Sequence, residues 1–385
     1  MKNVGEIKNC YGCGVCAVSC PVKIIDIKLN DDGFYEPRIT DDAKCIKCGL
    51  CLDNCAFNHS ELASEPECRQ SWGAWSNDEQ IHRKCSSGGI GFEICRQLIA
   101  RGYKVIACRY NPERQIAEHY VAETEAELID SLGSKYIQSL TPDALKLIKR
   151  NEKYAIVGTP CQIDSLRRFV KQRKLEDNVV LIDFFCHCVP SMWAWNGYLR
   201  MVEKEIGKVE YASWRNKLEY GWHDSYIMNL DNKPVKAGSL EEVSGKWIKR
   251  MSRGDIFYKL FLGDIAMNPA CSKNCKYKMD NSSADIRLGD FWGKTYRSDD
   301  SGVSSVVAFT EKGAGVINSL SGVTLQSHSF ETVTEGQMKR NAQPKAIAPV
   351  VMTLLKNKVP LNSGLYSAVF ICQKIINRIK RYLKL

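Results

Sequence analysis

The sequence predicts an α+β chain: a small cysteine-rich N-terminal domain, a larger α/β domain, and a basic amphipathic helix. Three observations carry that reading. Eight of the eighteen cysteines fall within residues 1–57, in two runs of the form C-x2-C-x2-C-x3-C. Between Ala155 and Phe185, strand-like, helix-like and strand-like segments follow one another within the length of a βαβ unit. The net charge of +10 is carried entirely by residues 336–385. With 385 residues, 44% hydrophobic and 25% charged, the chain has the composition of a globular protein of more than one domain. The expected division is 1–60, a linker over 61–71, then 72–150, 151–335 and, outside the fold, a basic tail with an amphipathic helix over 336–385.

The first run is Cys10-x2-Cys13-x2-Cys16-x3-Cys20-Pro21, and the second is Cys45-x2-Cys48-x2-Cys51-x3-Cys55-Ala56. This is the bacterial two-cluster ferredoxin spacing, in which three close thiolates clasp one 4Fe-4S cubane and the fourth ligates the other. One cluster is expected on Cys10, Cys13, Cys16 and Cys55, and the second on Cys45, Cys48, Cys51 and Cys20. Gly12, Gly14 and Gly49 would let the backbone pass close to the sulfides. Structural zinc also uses C-x2-C pairs, but it does not need a third and fourth cysteine at this spacing, twice over. Ala56 stands where the second run usually has proline, a residue that shapes the turn and is not a ligand. Such crowding argues against a secreted disulfide scaffold. The opening MKNVGEIKNC holds no apolar signal-peptide core, and no run of 18 uncharged apolar residues occurs. A reduced, cytoplasmic protein without a spanning helix is expected.

The polar stretch from Asn58 to Gln70 reads as a linker. A helix is expected over 91–100, stopped by Gly102, and a strand over 104–108. A strand over 155–158 leads through Thr159-Pro160-Cys161 into a helix over 162–174 and a strand over 179–185. If the last two strands are parallel, Cys161 and Cys186 emerge on the sheet edge where α/β proteins place ligands. With Cys271 and Cys275 they would supply four thiolates for one more cubane; buried core thiols are the alternative. Ser86-Ser87-Gly88-Gly89 precedes a helix, and free N–H groups at such a start form an anion nest suited to a flavin diphosphate. Gly133-Ser134-Lys135-Tyr136-Ile137-Gln138-Ser139 offers a cation, hydroxyls and an aromatic face.

The set CSSGG, GSKYIQS, GTPCQ, FCHCVPS and ADIRLGDFWG, in this order, resembles the coenzyme F-420 hydrogenase/dehydrogenase beta-subunit family, in the form that carries an N-terminal ferredoxin domain. The resemblance covers roughly residues 5–300. It implies an α/β domain that binds FAD, an iron–sulfur cluster near it, and oxidoreductase chemistry. It implies that Ser86, Ser87, Gly88 and Gly89 form part of the flavin site and that Lys135, Tyr136, Gln138 and Ser139 form its second wall. Thr159, Pro160 and Cys161 resemble the strand-end loop that meets flavin and cluster. Two positions depart from the pattern. Cys188 stands where glycine is usual, and Cys271-x3-Cys275 stands where C-x2-C is commoner.

The expected function is electron transfer between 4Fe-4S clusters and FAD, with hydride transfer to or from a deazaflavin-type or other soluble substrate. The alternative is an electron-transfer subunit of a larger redox complex without a small-molecule substrate. His187 is a candidate proton donor, against a structural imidazole. Asp290 is a candidate for positioning flavin or substrate, against a turn cap. A nucleic-acid partner is not expected, because residues 1–57 hold seven Lys/Arg against eight Asp/Glu. From Leu365 to Leu385, the residues Leu365, Val369, Cys372, Ile376, Ile379 and Leu383 share one helical face, with Lys374, Arg378, Arg381 and Lys384 around the rest. That helix, over 364–385, either docks on its own domain or contacts a protein or the inner membrane face.

Overall fold

The computed structural model describes residues 1–67 and 69–382. A nine-stranded sheet has the spatial order Val323–Ser327, Gln70–Ser76, Ser304–Ala308, Ile286–Asp290, Val179–Phe184, Lys153–Val157, Tyr103–Asn111, Ile116–Ala122 and Ser139–Leu140. The four strands from Ile286–Asp290 to Tyr103–Asn111 are parallel, and antiparallel strands flank them. The two strands expected on either side of the Cys161 helix are therefore parallel neighbours, with Val157 opposite Ile182. Their period of two decides which helix covers which face. Val105, Ala107, Ala155, Val180 and Ile182 pack with the helices Ile90–Ala100 and Glu311–Asn318. Ile106, Ile156, Val179 and Leu181 pack with the helix Pro160–Arg173. With both faces covered, the central strands read as unbroken apolar runs. Segments 72–150 and 151–335 contribute strands to the same sheet.

The helix Pro160–Arg173 starts two residues before the expected 162, because a proline in the first turn lacks only an N–H that would go unbonded anyway. Gln162 Oε1 accepts from the Thr159 N–H at 2.8 Å and closes that start.

A second core is aromatic. The helix Met192–Ile206 and the three-stranded antiparallel sheet of Tyr211–Ser213, Ile227–Asp231 and Trp247–Arg250 enclose Trp195, Tyr198, Trp214 and Phe257. The basic segment belongs to this core over much of its length, which corrects its reading as a tail outside the fold. Ile347, Val351, Leu355, Leu361 and Tyr366 are buried in it, through the helix Ala348–Lys356 and the first turn of the helix Gly364–Tyr382. Leu383 and Lys384 lie outside the described residues.

The N-terminal domain is a hairpin, Ile25–Leu29 with Tyr35–Ile39, and two short helices, Val15–Ser19 and Leu50–Asp53. Each helix follows a left-handed glycine, Gly14 at φ 77° and Gly49 at φ 80°, so the two cysteine runs fold alike. This domain is seated on the sheet by side chains of the larger one. Gln138 accepts from the Tyr35 N–H at 3.0 Å and donates to the carbonyls of Gly33 and Pro190. Thr141 Oγ1 donates to Cys13 O at 2.7 Å, and Asn268 Nδ2 to Cys10 O at 3.0 Å. A Cβ at Gly14 would lie 2.3 Å from Thr141 Oγ1, so glycine there lets the domain approach. The expected linker is a strap: Ala63 N donates to Asp164 Oδ1 at 2.7 Å, and Lys276 Nζ donates to the carbonyls of His59 and Glu61.

Arg287, from the central strand Ile286–Asp290, holds Asp183 by two bonds of 2.7 and 2.6 Å with both side chains buried. It also donates to the carbonyls of Tyr277, Met279 and Asn281, and so fixes the loop after Cys275. Replacing Arg287→Leu strands the Asp183 carboxylate in the core. A loss of about 3–5 kcal/mol in a urea titration is expected, because breaking a buried pair from one side leaves an uncompensated charge.

Candidate functional site

Loops at the carboxyl ends of the parallel strands, together with the segment before the helix Ile90–Ala100, enclose a cavity of about 580 Å³. This is the sheet edge at which α/β folds bind ligands, and the size is that of a small-molecule or cofactor site.

The first wall is Ser86, Ser87 and Gly89. Arg215 Nη2 takes the Ser86 carbonyl at 3.0 Å and Lys217 Nζ takes the Ser87 carbonyl at 2.7 Å. The loop's acceptors are thus used from behind. Gly89 caps the helix at φ 85° without a side-chain cap, so the first N–H groups keep no intrahelical acceptor and suit an anion. Gly88 is turned away from the cavity: a Cβ there would lie 2.2 Å from Ala74 O and 2.7 Å from Ser304 N, so its glycine serves strand contact.

The second wall is the 133–139 loop, joined to the first by Ser134, whose N–H donates to Ser86 Oγ at 2.9 Å. Tyr136 stacks on Tyr226 with ring centres 5.9 Å apart, and its hydroxyl accepts from Arg215 at 3.2 Å. Lys135 lines the cavity, but its ammonium donates to the carbonyls of Ser131 and Leu132 at 2.7 and 2.8 Å. Burial draws the pKa of Lys135 down to about 8, and does the same to Lys217. Two buried cations therefore stand behind the loops, close to Cys85, whose own thiol burial pushes up to about 12. The amide of Gln138 is committed to the N-terminal hairpin, and Ser139 Oγ accepts from Gln162 at 3.1 Å.

The third wall holds Thr159, Pro160, Cys161, Cys186, Cys271 and Cys275. Burial raises the thiol of Cys161 well up, that of Cys186 to about 11 and that of Cys271 to about 12, with neighbouring thiols adding to each. Cys188 is a fifth thiol on the same cavity, raised by burial and then by Cys271 and Cys186. Lys278 donates to the carbonyls of Cys186 and His187 at 2.6 and 3.0 Å. His187 Nε2 lies 2.8 Å from Asp264 Oδ1; burial lowers the imidazole's pKa and Asp264 opposes that. Asp290 is locked: its oxygens accept from Arg215 at 3.0 and 3.2 Å and from Trp222 Nε1 at 2.8 Å.

The eight N-terminal cysteines fall into two sets. Cys20, Cys45, Cys48 and Cys51 line one small cleft, with Cys48 exposed. Cys16 neighbours Cys13, Cys10 and Cys55 in the other. The second set is the inner one. Cys13 Sγ donates to Ser165 Oγ at 3.3 Å and neighbours Cys161, while Tyr11 and Gly12 reach the main cavity.

Residues 71–146 match the family model for the coenzyme F420 hydrogenase/dehydrogenase beta subunit N-terminus, and residues 151–329 match the model for its C-terminus. The chain belongs to this family. Residues 9–59 match a 4Fe-4S dicluster domain. Among curated proteins, an uncharacterized protein of Methanocaldococcus jannaschii is 23% identical over 48% of this chain and 58% of its own length. The coenzyme F420 hydrogenase subunit beta of Methanococcus voltae is 31% identical over 23% of this chain and 32% of its own. The chain thus spans about a third to just over half of these relatives. Among solved structures, a chain of the F420-reducing [NiFe] hydrogenase complex from Methanosarcina barkeri aligns at TM-score 0.45 and 17% identity, over 84% of this chain and 96% of that one.

No pattern in the sequence marks Arg215 and Lys217, which hold the Ser86–Ser87 loop from beneath. They come from the segment after Tyr211–Ser213, distant in sequence and without a motif of its own.

Two outcomes follow from this geometry. Gly88→Ala overpacks the strand contact and is expected to cost about 1–3 kcal/mol in chemical denaturation. Folded Lys217 loses its proton near pH 8, whereas the unfolded chain keeps it to about 10.5, so the unfolded state binds more protons between those values and stability rises with pH there. Relative to Lys217→Met, the wild type is expected to gain about 2–3 kcal/mol from pH 7.5 to 10 in urea titrations.

Proposed function

We propose that the chain is an iron–sulfur flavoprotein oxidoreductase. It would hold two 4Fe-4S clusters on the N-terminal thiols, a third on Cys161, Cys186, Cys271 and Cys275, and FAD in the cavity beside them. The observation that carries this reading is that one cavity is walled jointly by an uncapped helix start, an aromatic face, the thiols of Cys161, Cys186, Cys271 and Cys275, and Tyr11 and Gly12 from the loop between Cys10 and Cys13. Loaded, such groups supply single-electron exchange at the clusters and hydride exchange at the flavin with a deazaflavin-type or other soluble substrate.

The chain's residues fit those groups. The N–H groups after Ser87 and Gly89 would hold a diphosphate, with Lys135 and Lys217 supplying positive charge from behind. Tyr136 and Tyr226 offer a flat face. His187, on the cavity wall beside Asp264, is the candidate to move a proton. Asp290 is read as a positioning residue: it fixes Arg215, which in turn holds Tyr136 and Ser86. The order of thiols runs from the exposed Cys48 set, through the buried Cys10 set, to Cys161 at the cavity.

The second reading, an electron-transfer subunit without a small-molecule substrate, draws on the exposed Cys48 and the neighbouring Ile46, an apolar residue left open to solvent over the outer set.

Iron, acid-labile sulfide and FAD measured on anaerobically purified protein test the proposal. About twelve irons with one FAD per chain are expected, and Cys161→Ser is expected to lose about four irons while keeping the rest. Arg215→Met is expected to lower FAD content with iron unchanged. Zinc without flavin would overturn the redox reading. Full cofactor content with no flavin reoxidation by any small molecule would favour the subunit reading.

A further inference from the structure

We propose that the helix Gly364–Tyr382 docks this protein on an anionic lipid bilayer surface, lying in the plane of the interface. The helix has three sides. One is bound to the protein: Tyr366 is buried in the aromatic core, Val369 and Phe370 pack against it, and Gln373 Oε1 accepts from the Ile347 N–H at 3.3 Å. The second side is apolar and faces solvent. Leu365, Cys372, Ile375, Ile379 and Tyr382 recur at helical spacing, and Leu365, Ile375, Ile379 and Tyr382 expose 55%, 53%, 52% and 90% of their surface. The third side is basic, with Lys374, Arg378 and Arg381 exposed.

A helix that served only to close its own core would turn its isoleucines inward. Here the inward side is taken by Tyr366, Val369 and Phe370, and a second, continuous apolar stripe is left over. The charge beside it selects the occupant. Residues 336–385 hold ten Lys/Arg and no Asp or Glu. A second copy of the chain would bring the same positive charges face to face. Anionic headgroups above acyl chains match both features at once: the stripe enters the acyl boundary and the basic side contacts the headgroups. No described helix is long and apolar enough to cross a membrane, so the contact is one of lying on the surface.

The test is co-sedimentation of the anaerobically purified full chain with vesicles of phosphatidylcholine, with and without phosphatidylglycerol. Binding to the mixed vesicles is expected. It should fall on the order of tenfold in pure phosphatidylcholine or at raised salt. The pair Ile375→Asp and Ile379→Asp should abolish it, and the triple Lys374→Glu, Arg378→Glu, Arg381→Glu should weaken it on the order of a hundredfold. All five positions are exposed, so the variants should keep the wild-type visible spectrum and iron content, which is checked on the same samples. Absence of binding to anionic vesicles overturns the proposal. So does binding that the aspartate pair leaves unchanged. A dimer by sedimentation equilibrium that the aspartate pair dissociates, with no vesicle binding, overturns it in favour of self-association.

Discussion

The burial of thiols at the carboxyl edge of the sheet is the constraint around which the rest is arranged. Away from water a thiol holds its proton, and Cys161, Cys186 and Cys271 are all held that way by burial and by one another. Ligation needs the thiolate, so any metal bound there would displace those protons, its positive charge taking the place of the water that burial removed. A fold can keep such a group of thiols together only if their backbones are fixed by other means. Lys278 fixes the Cys186–His187 loop, and Arg287 fixes the loop after Cys275, while Asp183 fixes Arg287.

The same logic governs the seating of the N-terminal domain. Gln138, Thr141, Ser165 and Asn268 each bond to its backbone or thiols, and the strap over 58–67 is bound along its length. The inner cysteine set is therefore held at one position beside Cys161. Gln138 lies within a motif that the family resemblance assigns to the flavin wall, yet its amide is taken up by Tyr35 and Gly33 of the hairpin and by the Pro190 carbonyl.

The elements closest to the chemistry were the most legible in the sequence. Two cysteine runs of fixed spacing are a local signal, because three of the four ligands expected for each cluster are near neighbours in the chain. The strands around Cys161 and Cys186 were legible because both faces of the sheet are covered, which leaves unbroken apolar runs such as Val179–Phe184. Arg215 and Lys217 were not legible, since their role depends on loops more than 120 residues away in the chain. Gly88 and Gly89 look equivalent in the sequence. Only the approach of Ala74 O and Ser304 N distinguishes the one that packs from the one that caps. The basic segment read as a tail because its charge is conspicuous, whereas its buried residues, such as Ile347, Leu361 and Tyr366, are spread too widely to show a period.

The two cysteine sets of the N-terminal domain also differ in their exposure to air. In the outer set Cys48 is open to solvent, and the Cys45 thiol is drawn toward its anion first by the Asn3 side chain. In the inner set Cys10 and Cys16 are sealed and hold their protons. Oxidation follows thiolate character and access. Oxygen would therefore reach the outer thiols before the inner ones, and damage in air would run from the outside inward.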